Sequence, residues 1–126
     1  MSLRSPLGRV RGLGSAKSGT EHFWMQRVTA VALIPLTLWF VYSVIALAGE
    51  DHATATAWLQ APTTAVLMIV MIAATFHHMQ LGLQVVIEDY VHGEGVKIAS
   101  LMVMKGASLL LAVAAAFAVL KVAFGG

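Results

Sequence analysis

The sequence predicts an all-α integral membrane protein with three transmembrane helices, and three observations carry that reading. Of its 126 residues, 59% are hydrophobic and only 11% charged, against roughly 45–50% and 25% in soluble domains. No Asp, Glu, Lys or Arg stands between Arg27 and Glu50 or between Asp51 and Glu88, and each gap holds the roughly 20 apolar residues that cross a bilayer core. The basic residues gather at one end: Arg4, Arg9, Arg11, Lys17 and Arg27 precede the first apolar run, with Glu21 as the single acid among them. These features exclude a soluble enzyme with its own charged cleft. The net charge of +2 and pI of about 9.3 reflect that basic end, which membrane topology explains better than nucleic-acid binding. With no cysteine, the chain forms no disulfide and offers no thiolate to a metal, an iron–sulfur cluster or a substrate.

In chain order, residues 1–27 read as a basic cytoplasmic head, and residues 28–126 as a three-helix membrane domain. Within the head, Ser18 or Thr20 is placed to cap a helix that runs on into the apolar segment. Gly12, Gly14 and Lys17 fit neither phosphate-loop pattern. The first span covers about 28–48, with Pro35 inside it, as a membrane helix tolerates. Ala46-Leu47-Ala48 resembles a signal-peptidase site, but the apolar run is longer than a signal's, so a retained helix is expected. A polar connection over 49–62 leads to the second span, about 63–87. A second polar connection, 88–97, holds Gly93 and Gly95 as turn residues. The third span is about 98–124, with Lys105 and Lys121 near its ends, able to snorkel to opposite interfaces.

Orientation follows from the basic residues flanking each span. The head carries five, the first connection none, and the second has Lys97 with Lys105 nearby. The N-terminus and the 88–97 turn are therefore expected in the cytoplasm, and the second span ends there at Glu88-Asp89-Tyr90.

The second span holds the residues with chemistry. His77 and His78 lie well inside it, where ionisable groups usually face a bundle interior or a cofactor. Neighbours on a helix point about 100° apart, so the two do not share one role. Gly82, Val85 and Asp89 follow His78 within about 40° of one stripe, and His77 lies off it. Two readings stand side by side. Neutral imidazole ligates haem iron, and Gly82 clears space for a flat macrocycle; alternatively, His78 hydrogen-bonds a neighbouring helix while Gly82 permits close packing. One such histidine cannot make a two-histidine haem site, so a partner chain would supply the second. Tyr90 and Asp89 read either as interface residues or as a phenol and carboxylate beside an apolar crevice, with Tyr90 donating to a quinone carbonyl. Arg27 is an anchor on the same membrane face or a partner for haem propionates or a quinone. Met68, Met71 and Met79 read as lipid or packing residues, and His52 and His92 as solvated loop residues.

Taken together, these residues resemble a known family. Ser18-Gly-Thr-Glu-His-Phe-Trp-Met-Gln-Arg27-Val-Thr-Ala before a Pro-containing span resembles the start of the D-type hydrophobic anchor of succinate dehydrogenase. His78-Met-Gln-Leu-Gly82 followed by Asp89-Tyr90 is similar to that family's second-helix signature. The resemblance runs from residue 18 to the end, and His77 is an extra histidine beside the expected ligand. It implies half of a two-chain, six-helix anchor in the bacterial inner membrane, paired with a cytochrome-b-type subunit and docked to iron–sulfur and flavoprotein subunits, without nucleic acid. It further implies that His78 is the axial ligand of a haem b shared with the partner anchor. Arg27 would lie near the propionates and quinone, Gly82 would leave room for the ring, Tyr90 would bond ubiquinone, and Asp89 would support that region. A fumarate reductase anchor, another small cytochrome b, or a non-redox membrane scaffold are the competing readings.

The orientation is directly testable because the native chain has no cysteine. An Ala55→Cys variant should react with an impermeant thiol reagent only from the non-cytoplasmic side. Labelling from the cytoplasm alone would overturn the assignment.

Overall fold

The computed structural model describes residues 16–125; Arg4, Arg9, Arg11 and the remainder of residues 1–15 of the expected head lie outside the described residues. Four helices follow in order: α1 (Ala16–Leu47), α2 (His52–Gln60), α3 (Pro62–Tyr90) and α4 (Glu94–Ala123). In hydrocarbon no water satisfies backbone N–H and C=O groups, so an apolar run of this length closes its hydrogen bonds within one helix. Three of the four are long and apolar enough to cross a membrane: 29 residues from Gly19 to Leu47, 29 from Pro62 to Tyr90 and 30 from Glu94 to Ala123.

The boundaries have local causes, and several differ from the sequence expectation. α1 is already helical at Ala16, so Ser18 and Thr20 lie inside it and neither caps it. Pro35 also lies inside α1, where its missing N–H removes one bond to the preceding turn. The helix stops at Gly49, whose φ of +87° suits a residue without a Cβ; Glu50 N–H bonds Leu47 C=O across the turn at 3.0 Å. The 49–62 connection is not simply a polar loop, because α2 occupies most of it. Asp51 caps α2, its carboxylate accepting from Thr54 N–H at 2.9 Å and from the Thr54 hydroxyl at 2.7 Å. His52 is therefore the first residue of a helix rather than a loop residue, although it is exposed as expected. Pro62 opens α3 at a position where no intrahelical N–H is needed. The second connection is shorter than 88–97: α3 continues through Tyr90 and α4 begins at Glu94, leaving only Val91-His92-Gly93 between them.

α3 is the centre of the bundle, packed against α4 on one side and α1 on the other, and α2 rests on α3 and α4. Trp58 of α2 stacks on Trp39 of α1, with ring centroids 5.8 Å apart, and Gln60 Nε2 donates to Val122 C=O at 3.3 Å. These contacts bring the C-terminal ends of α1 and α4 and the start of α3 to one end. The three long helices therefore run up, down and up.

Little of the chain is buried. Among the described residues the buried hydrophobics are Leu36, Leu81 and Val119, whereas Leu38, Leu110 and Phe117 are about two-thirds exposed. The buried polar residues Thr29, Ser43, Thr64 and Ser108 are small, as suits helices that approach closely in lipid. On α1 the buried residues Thr29, Leu36 and Ser43 recur every seven positions, which is one stripe facing α3.

The Asp51 cap has a defined pH response. The Thr54 hydroxyl and N–H favour the ionised carboxyl and hold it below its usual value. A carboxyl lowered in the folded chain stabilises at and above its ordinary range and loses that contribution as pH falls through the lowered value. Protection of the Thr54 amide against hydrogen exchange should accordingly drop on acidification. In Asp51→Ala it should be low at every pH.

Candidate functional site

α1 and α3 meet at two close approaches that set their register. His78 Nδ1 lies 3.0 Å from Thr29 Oγ1, a contact between residues 49 apart in sequence. One turn further along α3, a Cβ built on Gly82 would meet Gln26 Nε2 at 3.9 Å and nothing else outside its own helix within 4 Å. The His78–Gly82 stripe thus faces α1, with Gly82 beside a polar side chain. The neighbour bond foreseen in the packing interpretation exists. It uses only one ring nitrogen, and among the described residues Nε2 takes no hydrogen bond.

His78 also lines an open groove of about 420 Å³ whose other walls are Ala30, Leu33, Ile34, Thr37 and Leu38 of α1. These walls are apolar apart from Thr37, and Ile34 and Leu38 are well exposed. Arg27 falls within about 20° of the Ile34 and Leu38 direction on α1, roughly two to three turns nearer the N-terminus. It is on the same face of α1 as the groove but is not among the residues that line it. Its guanidinium lies 5.0 Å from the Phe23 ring centroid, a cation–π contact.

His77 takes a different direction, as the 100° offset requires. It lines a cavity between α3 and α4 with Phe76, Gln80, Lys105, Gly106 and Ser108. It also borders a smaller one, of about 320 Å³, with Glu21, His22 and Gln84.

Tyr90 and Asp89 close α3 and are exposed, Tyr90 to 76%. Just before them Gln84 Nε2 donates to Glu88 Oε1 at 3.1 Å. The antiparallel register that pairs residue 29 with 78 and residue 26 with 82 puts Arg27 level with residues 80–81. At 1.5 Å per residue, the Arg27 backbone is offset along the axis by about 14 Å from that of Tyr90 and by about 4 Å from that of His78. The Arg27 guanidinium itself lies over Phe23, one turn nearer the N-terminus, which is the direction of the Tyr90 end of α3.

Three residues of this site were not singled out from the sequence: His22, Gln26 and Thr29. They recur at i, i+4 and i+7 on α1, a polar stripe entering an apolar segment, and that spacing was a readable signal. His22 Nε2 and Gln26 Oε1 are buried with no hydrogen-bond partner among the described residues, so the stripe carries unspent polar capacity toward α3.

The chain matches known proteins along most of its length. Residues 1–120 match the family described as succinate dehydrogenase/fumarate reductase transmembrane subunit. A succinate dehydrogenase hydrophobic membrane anchor subunit of Rickettsia bellii is 32% identical over 111 residues, 88% of this chain and 89% of its own length. The protein of the same description from Paracoccus denitrificans is 33% identical, over 71% of this chain and 69% of its own. A succinate dehydrogenase membrane anchor subunit of Reclinomonas americana is 30% identical over 71% and 77%. No solved structure matches the chain significantly.

Proposed function

The chain belongs to the succinate dehydrogenase/fumarate reductase transmembrane subunit family, and on that premise we propose that it anchors a succinate:ubiquinone oxidoreductase while holding one side of a haem b and part of a quinone site. It is a multi-pass membrane subunit of the succinate dehydrogenase type. Its expected partners are a cytochrome-b-type anchor, an iron–sulfur subunit and a flavoprotein subunit, with the N-terminus in the bacterial cytoplasm. The relatives from Rickettsia bellii, Paracoccus denitrificans and Reclinomonas americana carry succinate dehydrogenase names, which favours that direction of electron flow over a fumarate reductase.

The observation that carries the haem assignment is the groove beside His78. A flat, largely apolar macrocycle with two acidic substituents needs a nitrogen ligand, an apolar wall and a cation at one edge. His78, whose Nε2 takes no hydrogen bond among the described residues, the Ala30–Leu38 wall and Arg27 on the same face of α1 support that reading. Bound there, haem b supplies a one-electron centre within the bilayer. Gly82 keeps the next turn of α3 free of side chain, and the exposed α1 face beside the groove is where the partner anchor and its histidine would close the site.

His78→Ala should abolish or shift the low-spin b-type spectrum of the purified complex, whereas His77→Ala should leave it intact. Gly82→Leu should impair haem incorporation by filling the space beside Gln26. An unchanged spectrum in an assembled His78→Ala complex would remove the assignment.

For the quinone, Tyr90 and Asp89 end α3 at the face where the soluble subunits would dock. A carbonyl that gains electrons becomes a stronger acceptor, so a phenol donor favours the reduced side of the reaction. One such bond is worth about 0.5–1.5 kcal/mol, and more when the acceptor is charged. Tyr90→Phe removes the donor and keeps the ring. Succinate–quinone activity should fall by about 2- to 10-fold on that arithmetic, while succinate oxidation by an artificial acceptor is unchanged. Equal quinone activity at low quinone concentration would make Tyr90 an interface residue only.

A further inference from the structure

We propose that Thr29 is a positioning residue for His78: its hydroxyl oxygen accepts the Nδ1 proton, which leaves Nε2 unprotonated and free to ligate. The inference rests on the haem reading of His78 and adds the residue that sets the ring's tautomer. Thr29 lies at the start of the apolar part of α1 and is only 6% exposed. Its Oγ1 is 2.7 Å from Met25 C=O and 3.1 Å from Gln26 C=O. Carbonyl oxygens only accept, and 2.7 Å is the usual length of an O–H···O bond. Without a proton between them, two oxygens at that distance would set lone pair against lone pair.

The single hydroxyl proton is therefore committed to the helix backbone, a geometry that threonine's restricted χ1 favours. Oγ1 keeps acceptor capacity only, and the atom that faces it is His78 Nδ1, at 3.0 Å. A neutral imidazole has one N–H, so the proton sits on Nδ1 and the Nε2 lone pair is free. The same bond orients the ring from a helix other than the one that carries it. A histidine held only by its own α3 would be free to place either nitrogen toward the groove. An acceptor on the distal N–H also makes an imidazole a stronger donor to a metal.

Thr29→Val keeps the branched shape and removes the acceptor; Thr29→Ser keeps the hydroxyl. Both are built into the assembled complex, with artificial-acceptor succinate oxidation as the measure of intact soluble subunits. Thr29→Val should move the haem midpoint potential in the positive direction, because a weaker nitrogen donor favours ferrous iron. It should also release haem at about 10-fold lower chelator or detergent challenge and alter the low-spin electron paramagnetic resonance g values. Thr29→Ser should restore all three. If the valine variant fails to assemble, Thr29→Ala, which leaves the ring room, is read by the same measurements.

Native potential, haem retention and g values in Thr29→Val would overturn the proposal. If His78→Ala loses the b-type signal in that case, the haem reading survives and only the role of Thr29 falls. Retention of the signal in His78→Ala would bring down the underlying reading instead.

Discussion

The register of α1 against α3 is the constraint on which the site depends. Each helix alone is a long apolar rod with polar residues at intervals, and sliding one past the other by a turn would still bury similar area. What distinguishes the observed register is the bond between Thr29 and His78 and the approach of Gln26 to Gly82. An unpaired imidazole between two helices in hydrocarbon is costly, and the bond removes that cost at one alignment only. From that alignment follow the groove beside His78 and the level of the Arg27 backbone against residues 80–81 of α3.

The same physics explains why so little of the chain is buried. A bundle in lipid gains nothing by hiding leucine from hydrocarbon, so close packing falls to small residues such as Ser43, Thr64 and Ser108, and the large apolar side chains face outward. The outward face of α1 beside His78 is apolar in the same manner, which suits lipid and an apolar partner helix alike. His22 Nε2 and Gln26 Oε1 are the exceptions. They hold polar capacity between α1 and α3, His22 beside His77 and Gln26 beside Gly82.

The two sequence readings of His78 do not compete. The bond to Thr29 uses Nδ1, whereas ligation of a metal would use Nε2, so the first is compatible with the second. His77 shows the contrast: one position earlier and about 100° around the helix, it borders cavities shared with Lys105 and Glu21 rather than the α1 groove.

By itself the sequence determined the all-helical class, the three spans and the divergence of His77 from His78, because each is a property of hydropathy and of the period of a single helix. The His78–Gly82–Asp89-Tyr90 pattern was likewise legible, being local to α3. α2 was not, since nine residues rich in Ala and Thr carry no strong period, and their stability comes from the Asp51 cap and the Trp39–Trp58 stack with another helix. The bounds expected for α3 and α4 fell short because polar residues such as Glu88 and Glu94 read as loop, although a helix continues past the hydrocarbon edge at little cost once water or headgroups solvate its side chains. Only the tertiary structure decided that Thr29 meets His78 and that Gln26 comes up against Gly82. Those facts belong to the alignment of two helices, and no periodicity within one helix contains the offset between them.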